Sequence, residues 1–265
     1  MIPKKIHYCW LSGEEMPPKL KDCLNSWQKV MPEYEIVCWD KNRFDISSQK
    51  FVKEACDAKK WAFAADYIRL YALYKEGGIY LDSDVLVLKK FDDFLQYDFF
   101  TSVEFHAPIV EYYNTLSLLN SDGSSKIKFT PKPGIGIQAA VLGSVKNNPF
   151  IQCCMDYYKD KHFAPEQNGK KNIQLIAPEI LAITAEKFGF KYTNKLQKIG
   201  DNMLILPSDI FAGNLKQKNE NSYAIHYCEG SWKEKQPILK RIVSKLKRTI
   251  VITYNKILIF NRNNK

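Results

Sequence analysis

The chain has 265 residues, 45% of them hydrophobic and 13% aromatic, with a formal net charge of +10. That is enough apolar material for one large folded core, and it excludes a disordered or repeat-built chain. Residues 233–265 hold ten of the 39 basic groups and one of the 29 acidic ones, so a tail of +9 follows a body of +1; nucleic-acid binding over the whole surface is not expected.

The opening residues MIPKKIHYCWLSGEE show no apolar leader pattern, and no apolar run approaches the ~20 residues of a membrane span. The seven cysteines form no C-x-x-C pattern, so reduced thiols in a cytoplasmic protein are expected. Residues 4–10 read as a first strand ending in a Leu-Ser-Gly turn. Pro17-Pro18 then opens a helix to about Val30, with Leu20, Leu24 and Trp27 at helical spacing. Residues 34–39 read as a second strand. Two helices follow, the second over 60–78, with Ala64, Ile68, Tyr71 and Ala72 on its apolar face and Gly77-Gly78 as its stop.

The next segment, GGIYLDSDVLVL (77–88), reads as one buried strand. A further strand is expected over 99–103, a weakly patterned, mobile or variable insertion over 104–133, and an apolar segment over 135–142. Helices are expected over 149–158 and 178–188, and late strands over 203–206 and 223–227. Strand and helix alternate through the first half, which predicts an α/β domain with a largely parallel sheet. Ligands of such sheets bind beyond the carboxyl ends of the strands, which points to the turn after Trp10 and to Asp82 and Asp84.

Within a strand, Asp82 and Asp84 share one face. Ionised carboxylates are costly to bury unaccompanied. A hard divalent ion accounts for the pair: Mg²⁺ or Mn²⁺ takes one or two carboxylates and completes its shell with phosphate oxygens and water. The same ion suits a leaving nucleoside diphosphate, whose departing phosphate gains charge. Nucleotide-sugar transfer and nucleotidyl transfer both fit.

The stretch KEGGIYLDSDVLVLKKFDDFL, preceded by WAFAADYIRLYALY, resembles the core signature of glycosyltransferase family 32. That family includes fungal initiating mannosyltransferases and bacterial capsule or lipopolysaccharide enzymes, with the large clostridial glucosylating toxins more distant. IPKKIHYCWLSG, AVLGSVKNNPFI, IAPEILAIT and AIHYCEGSW are similar to further family segments, in the family's order, from residue 2 to 232. The resemblance implies a GT-A type nucleotide-sugar-binding domain over 1–232, with a mostly parallel sheet flanked by helices, followed by a basic tail over 233–265.

It also implies roles for individual residues. Trp10 would stack on the nucleotide base. Asp66 and Arg69, one helical face apart at i, i+3, would hold donor sugar hydroxyls, with Arg69 also near the phosphates. Asp82 would contact ribose or sugar and reach the ion through water, Asp84 would ligate Mn²⁺ or Mg²⁺ directly, and His226 would complete the metal site. Ser231 and Trp232 would close over the phosphates, with Glu229 a weaker candidate. Two departures stand out: Gln138 lies where relatives tend to carry Asn near the reacting sugar, and Ala177 with Glu179 lies where Gly is commoner.

The family retains anomeric configuration. No carboxylate of the sequence stands out as a far-face nucleophile, which favours a same-face mechanism in which the departing phosphate helps deprotonate the acceptor. In the tail, Leu239, Ile242, Val243, Leu246 and Ile250 share a helical stripe flanked by Lys240, Arg241, Lys245, Lys247 and Arg248, a pattern suited to an anionic membrane. The expectation is a metal-dependent transferase moving a sugar, with UDP as the expected nucleotide, to a lipid-linked glycan of a bacterial surface polysaccharide. It would be cytoplasmic and peripheral on the inner membrane face. The alternatives are an effector-like enzyme that modifies a protein, a non-catalytic sugar-nucleotide binder and, less favoured, a nucleotidyltransferase.

Overall fold

The computed structural model describes residues 1–163 and 175–228. Glu229, Ser231, Trp232 and the expected amphipathic tail lie outside the described residues. All seven cysteines are free thiols.

Strand β1 (Lys5–Cys9) leads into helix α1 (Pro18–Val30), which returns the chain to strand β2 (Glu35–Trp39). Pro18 suits the first turn of α1, where a missing N–H costs nothing. Helices α2 (Lys50–Asp57) and α3 (Trp61–Glu76) precede strand β3 (Gly78–Leu81). Gly77, at φ +66°, ends α3 by donating its N–H to the Leu73 carbonyl at 2.8 Å. Gly78 has φ +106°, and a Cβ there would meet the Lys5 carbonyl at 2.6 Å, so only glycine lets β3 lie this close to β1.

The segment read as a single strand over 77–88 is two strands. β3 ends at Leu81, a turn spans Asp82, Ser83 and Asp84, and β4 (Val85–Val87) belongs to a different sheet. The Val85 N–H closes the turn on the Asp82 carbonyl at 3.0 Å. Asp and Ser favour such a reversal because their side chains bond nearby backbone. The two carboxylates are therefore brought together by a turn and not by a shared pleat.

The remaining elements are β5 (Phe99–Phe105), α4 (Ala107–Tyr113), β6 (Ile135–Ile137), β7 (Val141–Ser144), α5 (Pro149–Asp156), α6 (Ala177–Ala185), β8 (Gln197–Ile199), β9 (Met203–Leu206), β10 (Phe211–Ala212) and β11 (Ala224–His226). The apolar run 135–142 also divides, giving parts of β6 and β7. The weakly patterned insertion contains α4, a short 3-10 turn over Thr115–Leu118 and a bridge between Leu119 and Ser125.

The main sheet runs β2-β1-β3-β7-β5-β9-β8, with β6 paired to β5. β2, β1, β3, β5 and β9 share one direction, while β7 and β8 oppose it. The sheet is thus mostly parallel. β10, β11 and β4 form a second, small sheet.

Side chains alternate across the main sheet. Tyr80, Phe99, Leu142 and Ile205 pack under α2, α3, α5 and α6. Ile79, Leu81, Phe100, Val141 and Leu204 pack under α1 and the small sheet, where Trp27 is the large buried anchor. The Trp27 indole donates to the Val85 carbonyl at 2.7 Å, and Ser26 Oγ accepts the Val87 N–H at 3.0 Å, so α1 clamps β4 in position. On the other face Trp39 Nε1 donates to His7 Nδ1 at 3.0 Å, and His7 Nε2 faces the Gly77 carbonyl at 2.7 Å. Burial pushes the His7 imidazole below its usual range, and the Gly77 bond only partly opposes this, so it serves as a neutral strut between β1, β2 and the end of α3.

Gly143 on β7 lies opposite Phe100 on β5. A Cβ on Gly143 would fall 1.9 Å from the Phe100 ring, inside a layer with no slack. Gly143→Ala is expected to destabilise the fold by about 1–3 kcal/mol, the range for overpacking a core. Urea unfolding followed by circular dichroism checks this; an unchanged midpoint would mean that the ring moves freely.

Candidate active site

The carboxyl ends of β1 and β3 and the turn after β3 open onto one cavity of about 570 Å³. Trp10, Asp66, Arg69, Asp82, Asp84, Gln138 and His226 all line it. Seven of the nine site residues expected from sequence are therefore gathered in one place; Ser231 and Trp232 are the two outside the described residues.

The register of the small sheet supplies the closest grouping. His226 on β11 pairs with Val85 on β4, and the Tyr227 N–H bonds the Asp84 carbonyl at 3.1 Å. His226 Nε2 consequently lies 3.2 Å from Asp84 Oδ1 and 3.9 Å from Asp82 Oδ2. One ligating atom from each of Asp82, Asp84 and His226 falls within 4.8 Å of the others. Two carboxylates and an imidazole form a donor set that fits a divalent ion such as Mn²⁺ or Mg²⁺. Burial alone would lower the His226 pKa, but the bond to Asp84, the Cys228 thiol and the nearby Asp82 carboxylate raise it well above its usual value.

Behind this group lies a buried cation. The Arg69 side chain is only 5% exposed, yet each of its nitrogens has a partner. Nε donates to the Ala65 carbonyl at 3.1 Å and Nη1 to the Ala139 carbonyl at 2.8 Å. Nη2 pairs with Asp66 Oδ1 at 2.9 Å, and Nη1 lies 3.3 Å from Asp82 Oδ1. The guanidinium also lies over the Tyr80 ring at 4.8 Å, and the Tyr80 hydroxyl donates to Asp82 Oδ1 at 3.0 Å. Asp82 is thus held from one side by Arg69 and Tyr80 and faces His226 on the other.

Burial pushes the Asp66 carboxyl up to about 6 against the opposing pull of Arg69; the Asp82 charge adds to the rise, and the Ala177 N–H at the start of α6 counters it. The expected Asp66–Arg69 pair does form, as an interior brace in which every guanidinium nitrogen has a partner.

Trp10 lies just past β1, where its N–H bonds the Trp39 carbonyl at 3.0 Å, and its indole Nε1 donates to the Glu14 carbonyl at 2.8 Å. That bond fixes the ring at the cavity wall with a face free of polar obligations. Gln138 is buried between sheets: its Nε2 donates to the Phe211 carbonyl at 2.7 Å, and its N–H bonds Ser102 at 2.9 Å.

Among the polar lining residues that sequence reasoning missed, one pair stands out. Glu104 and His106, at the end of β5, bond to each other at 2.7 Å. The alternation of Glu104, Phe105 and His106 after an apolar strand was the available signal, since it sends both polar side chains to one face.

Residues 17–100 match the family described as "Glycosyltransferase sugar-binding region containing DXD motif", a span that contains Asp66, Arg69, Asp82 and Asp84. The chain is 34% identical over 100 residues to inositol phosphoceramide mannosyltransferase 3 of Schizosaccharomyces pombe, covering 36% of this chain and 28% of the relative. It is 28% identical over 119 residues to "Subversion of eukaryotic traffic protein A" of Legionella pneumophila, covering 35% of this chain and 18% of the relative. The chain therefore spans less than a third of the length of either curated relative. Among solved structures, a galactosyltransferase in complex with donor and acceptor sugar analogues is similar over 94% of this chain and 95% of its own, at 14% identity and a TM-score of 0.44.

Removing Arg69 would leave Asp66 and Asp82 without their cation. Arg69→Met is expected to cost about 3–5 kcal/mol, the scale for breaking a buried ion pair from one side, read as a lower urea midpoint. Asp84, Cys228 and Asp82 favour the protonated form of the His226 imidazole, which would have to release its proton to ligate. Mn²⁺ affinity measured by calorimetry should therefore tighten as pH rises from 6 to 8, with proton release; a flat profile would remove His226 from the ligand set.

Proposed function

We propose that the DXD-type glycosyltransferase segment matched over 17–100 works here as part of a GT-A type, metal-dependent enzyme. It moves a sugar from a nucleotide-sugar donor, a UDP-sugar by preference, to a hydroxyl of a lipid-linked glycan in bacterial surface-polysaccharide assembly. The observation that carries the reading is the convergence of Asp82, Asp84 and His226 in a cavity that Trp10, Arg69 and Gln138 also line.

The role of each residue follows from its place. Trp10 offers the nucleotide base a flat apolar face, held in orientation by its own N–H bond to Glu14. Arg69 acts from behind: it keeps Asp82 ionised and aimed, so that the pocket stays preorganised as charge develops on the leaving diphosphate. Asp84 and His226, with Asp82, would hold Mn²⁺ or Mg²⁺, which when bound stabilises the negative charge of the departing phosphate. Gln138, its amide nitrogen tied to the Phe211 carbonyl, would form a fixed part of the wall beside the sugar. Glu104 and His106 form a polar wall suited to orienting the acceptor hydroxyl.

Transfer with retention follows if the acceptor enters on the face the diphosphate leaves. The leaving phosphate oxygen then accepts the hydroxyl proton as the new bond to the anomeric carbon forms. The protein contributes position and field, not a nucleophile. A cytoplasmic, membrane-peripheral location follows from the lipid-linked acceptor and the basic tail. The alternative of transfer to a protein side chain differs in acceptor and not in the donor chemistry.

Asp84→Ala is expected to lower turnover at least ~100-fold, the scale for removing a preorganised charge stabiliser. Near-normal turnover at saturating Mn²⁺ would remove Asp84 from the machinery. A thermal-shift panel of nucleotide sugars with and without Mn²⁺ identifies the donor: binding at a hundred times Kd stabilises by roughly 2.7 kcal/mol. Stabilisation by none of the panel would contradict the reading.

A further inference from the structure

Eight large hydrophobic side chains stand exposed among the described residues, and five of them fall in one excursion: Tyr113, Leu116, Leu118, Ile127 and Phe129. This excursion springs from the rim of the cavity. It leaves after His106 and returns at Gly134, where the His106 N–H bonds the Gly134 carbonyl at 2.8 Å. Glu104, Phe105 and His106 at its base line the cavity itself.

The apolar residues are held outward by a specific construction. The Lys126 N–H bonds the Leu118 carbonyl and its Nζ bonds the Ser117 carbonyl, both at 3.0 Å, which ties the 117–118 backbone to the segment that carries Ile127. Lys132, only 4% exposed, lies beneath the tip. Its ammonium donates to the Ile127 carbonyl at 3.1 Å, the Thr130 carbonyl at 2.6 Å and Thr130 Oγ1 at 2.7 Å. Phe129 has φ +56°, a left-handed conformation that a bulky aromatic adopts only under constraint. Its N–H is tied to Glu186 Oε2 at 2.8 Å. A buried cation and a strained backbone thus hold Ile127 at 64% and Phe129 at 52% exposure.

The sequence at the tip alternates charge with apolar bulk: Lys126, Ile127, Lys128, Phe129. Lys126 and Lys128 are both exposed. The acids of the excursion are Glu111 and Asp122, and Asp122 is ion-paired with Lys191 at 2.9 Å. Protruding apolar side chains between lysines match a fluid anionic interface, where apolar tips enter the acyl boundary and ammonium groups stay among the headgroups. A folded protein partner would instead need a shaped recess for each projecting side chain.

We propose that residues 116–129 form a membrane-docking surface that inserts Leu116, Ile127 and Phe129 into an anionic lipid bilayer and so brings the rim of the cavity to the lipid surface. Its purpose rests on the lipid-linked acceptor proposed above; the surface itself rests on the packing of the excursion. It acts independently of the basic segment 233–265.

The test uses the full chain and flotation on phosphatidylcholine vesicles with and without phosphatidylglycerol. The wild type should float with the anionic vesicles. The double variant Ile127→Ser/Phe129→Asn, in which Asn tolerates the left-handed backbone, should lose about tenfold or more in partitioning. Leu196→Ser, at a comparably exposed leucine elsewhere, should not change it. Phe129→Trp should gain quenching by brominated lipid over the wild type.

Equal flotation of the double variant and the wild type would overturn the proposal, as would an absence of wild-type flotation or of added quenching in Phe129→Trp. Unchanged flotation with lost transfer to a soluble peptide would reassign the surface to a protein partner and equally overturn it. Donor-induced thermal stabilisation, measured on the same proteins, separates the two ideas: its loss in every chain sinks the transferase reading and leaves the docking surface standing.

Discussion

The site depends on one electrostatic constraint. Asp66, Asp82 and Asp84 crowd a partly buried cavity wall, and like charges in such a place repel and resist desolvation. Arg69 answers for two of them, pairing with Asp66 and Asp82 while its remaining donors are fixed on Ala65 and Ala139. Asp84 lies on the far side of Asp82 from the guanidinium and meets His226 instead. Asp84 and Asp82 favour the protonated form of that imidazole. A divalent ion held there would displace that proton and leave the site one charge more positive, which suits an incoming diphosphate. The arrangement is a site with an exchangeable positive charge, backed by a permanent one.

The fold is organised around delivering those groups. α3 carries Asp66 and Arg69 under one face of the main sheet, and β3 delivers Asp82 from the sheet itself. The small sheet then turns Asp84 and His226 toward each other through the Val85–His226 pairing. The clamp of α1 on β4, through Trp27 and Ser26, keeps the small sheet in register with the large one. The excursion between His106 and Gly134 extends the same cavity rim outward, so donor-side chemistry and the proposed lipid contact share one edge of the molecule.

Much of this was legible in the sequence where a residue type imposes its own geometry. Pro18 and Gly77 marked helix ends because one lacks an N–H and the other adopts positive φ. Asp82 and Asp84 stood out because buried strands rarely carry such groups without a partner, and His226 because AIHYCEGSW resembles a family segment. The reading failed where periodicity is silent about direction. An apolar run looks the same whether it continues or reverses, so GGIYLDSDVLVL looked like one strand and not two strands in two sheets. β8 and β10 are too short to show alternation. The i, i+3 spacing showed that Asp66 and Arg69 share a face and not how deeply that face is buried. Glu104 and His106 escaped because the stretch that follows them has no period.

The central claim is that Asp82, Asp84 and His226 close on a divalent ion beneath a nucleoside diphosphate. Anomalous diffraction from crystals soaked with Mn²⁺ and UDP tests it most directly. The account predicts one strong manganese peak coordinated by Asp84 and His226, reaching Asp82 directly or through water, with diphosphate oxygens completing its shell. A peak elsewhere, or bound nucleotide with no manganese between those side chains, would contradict it.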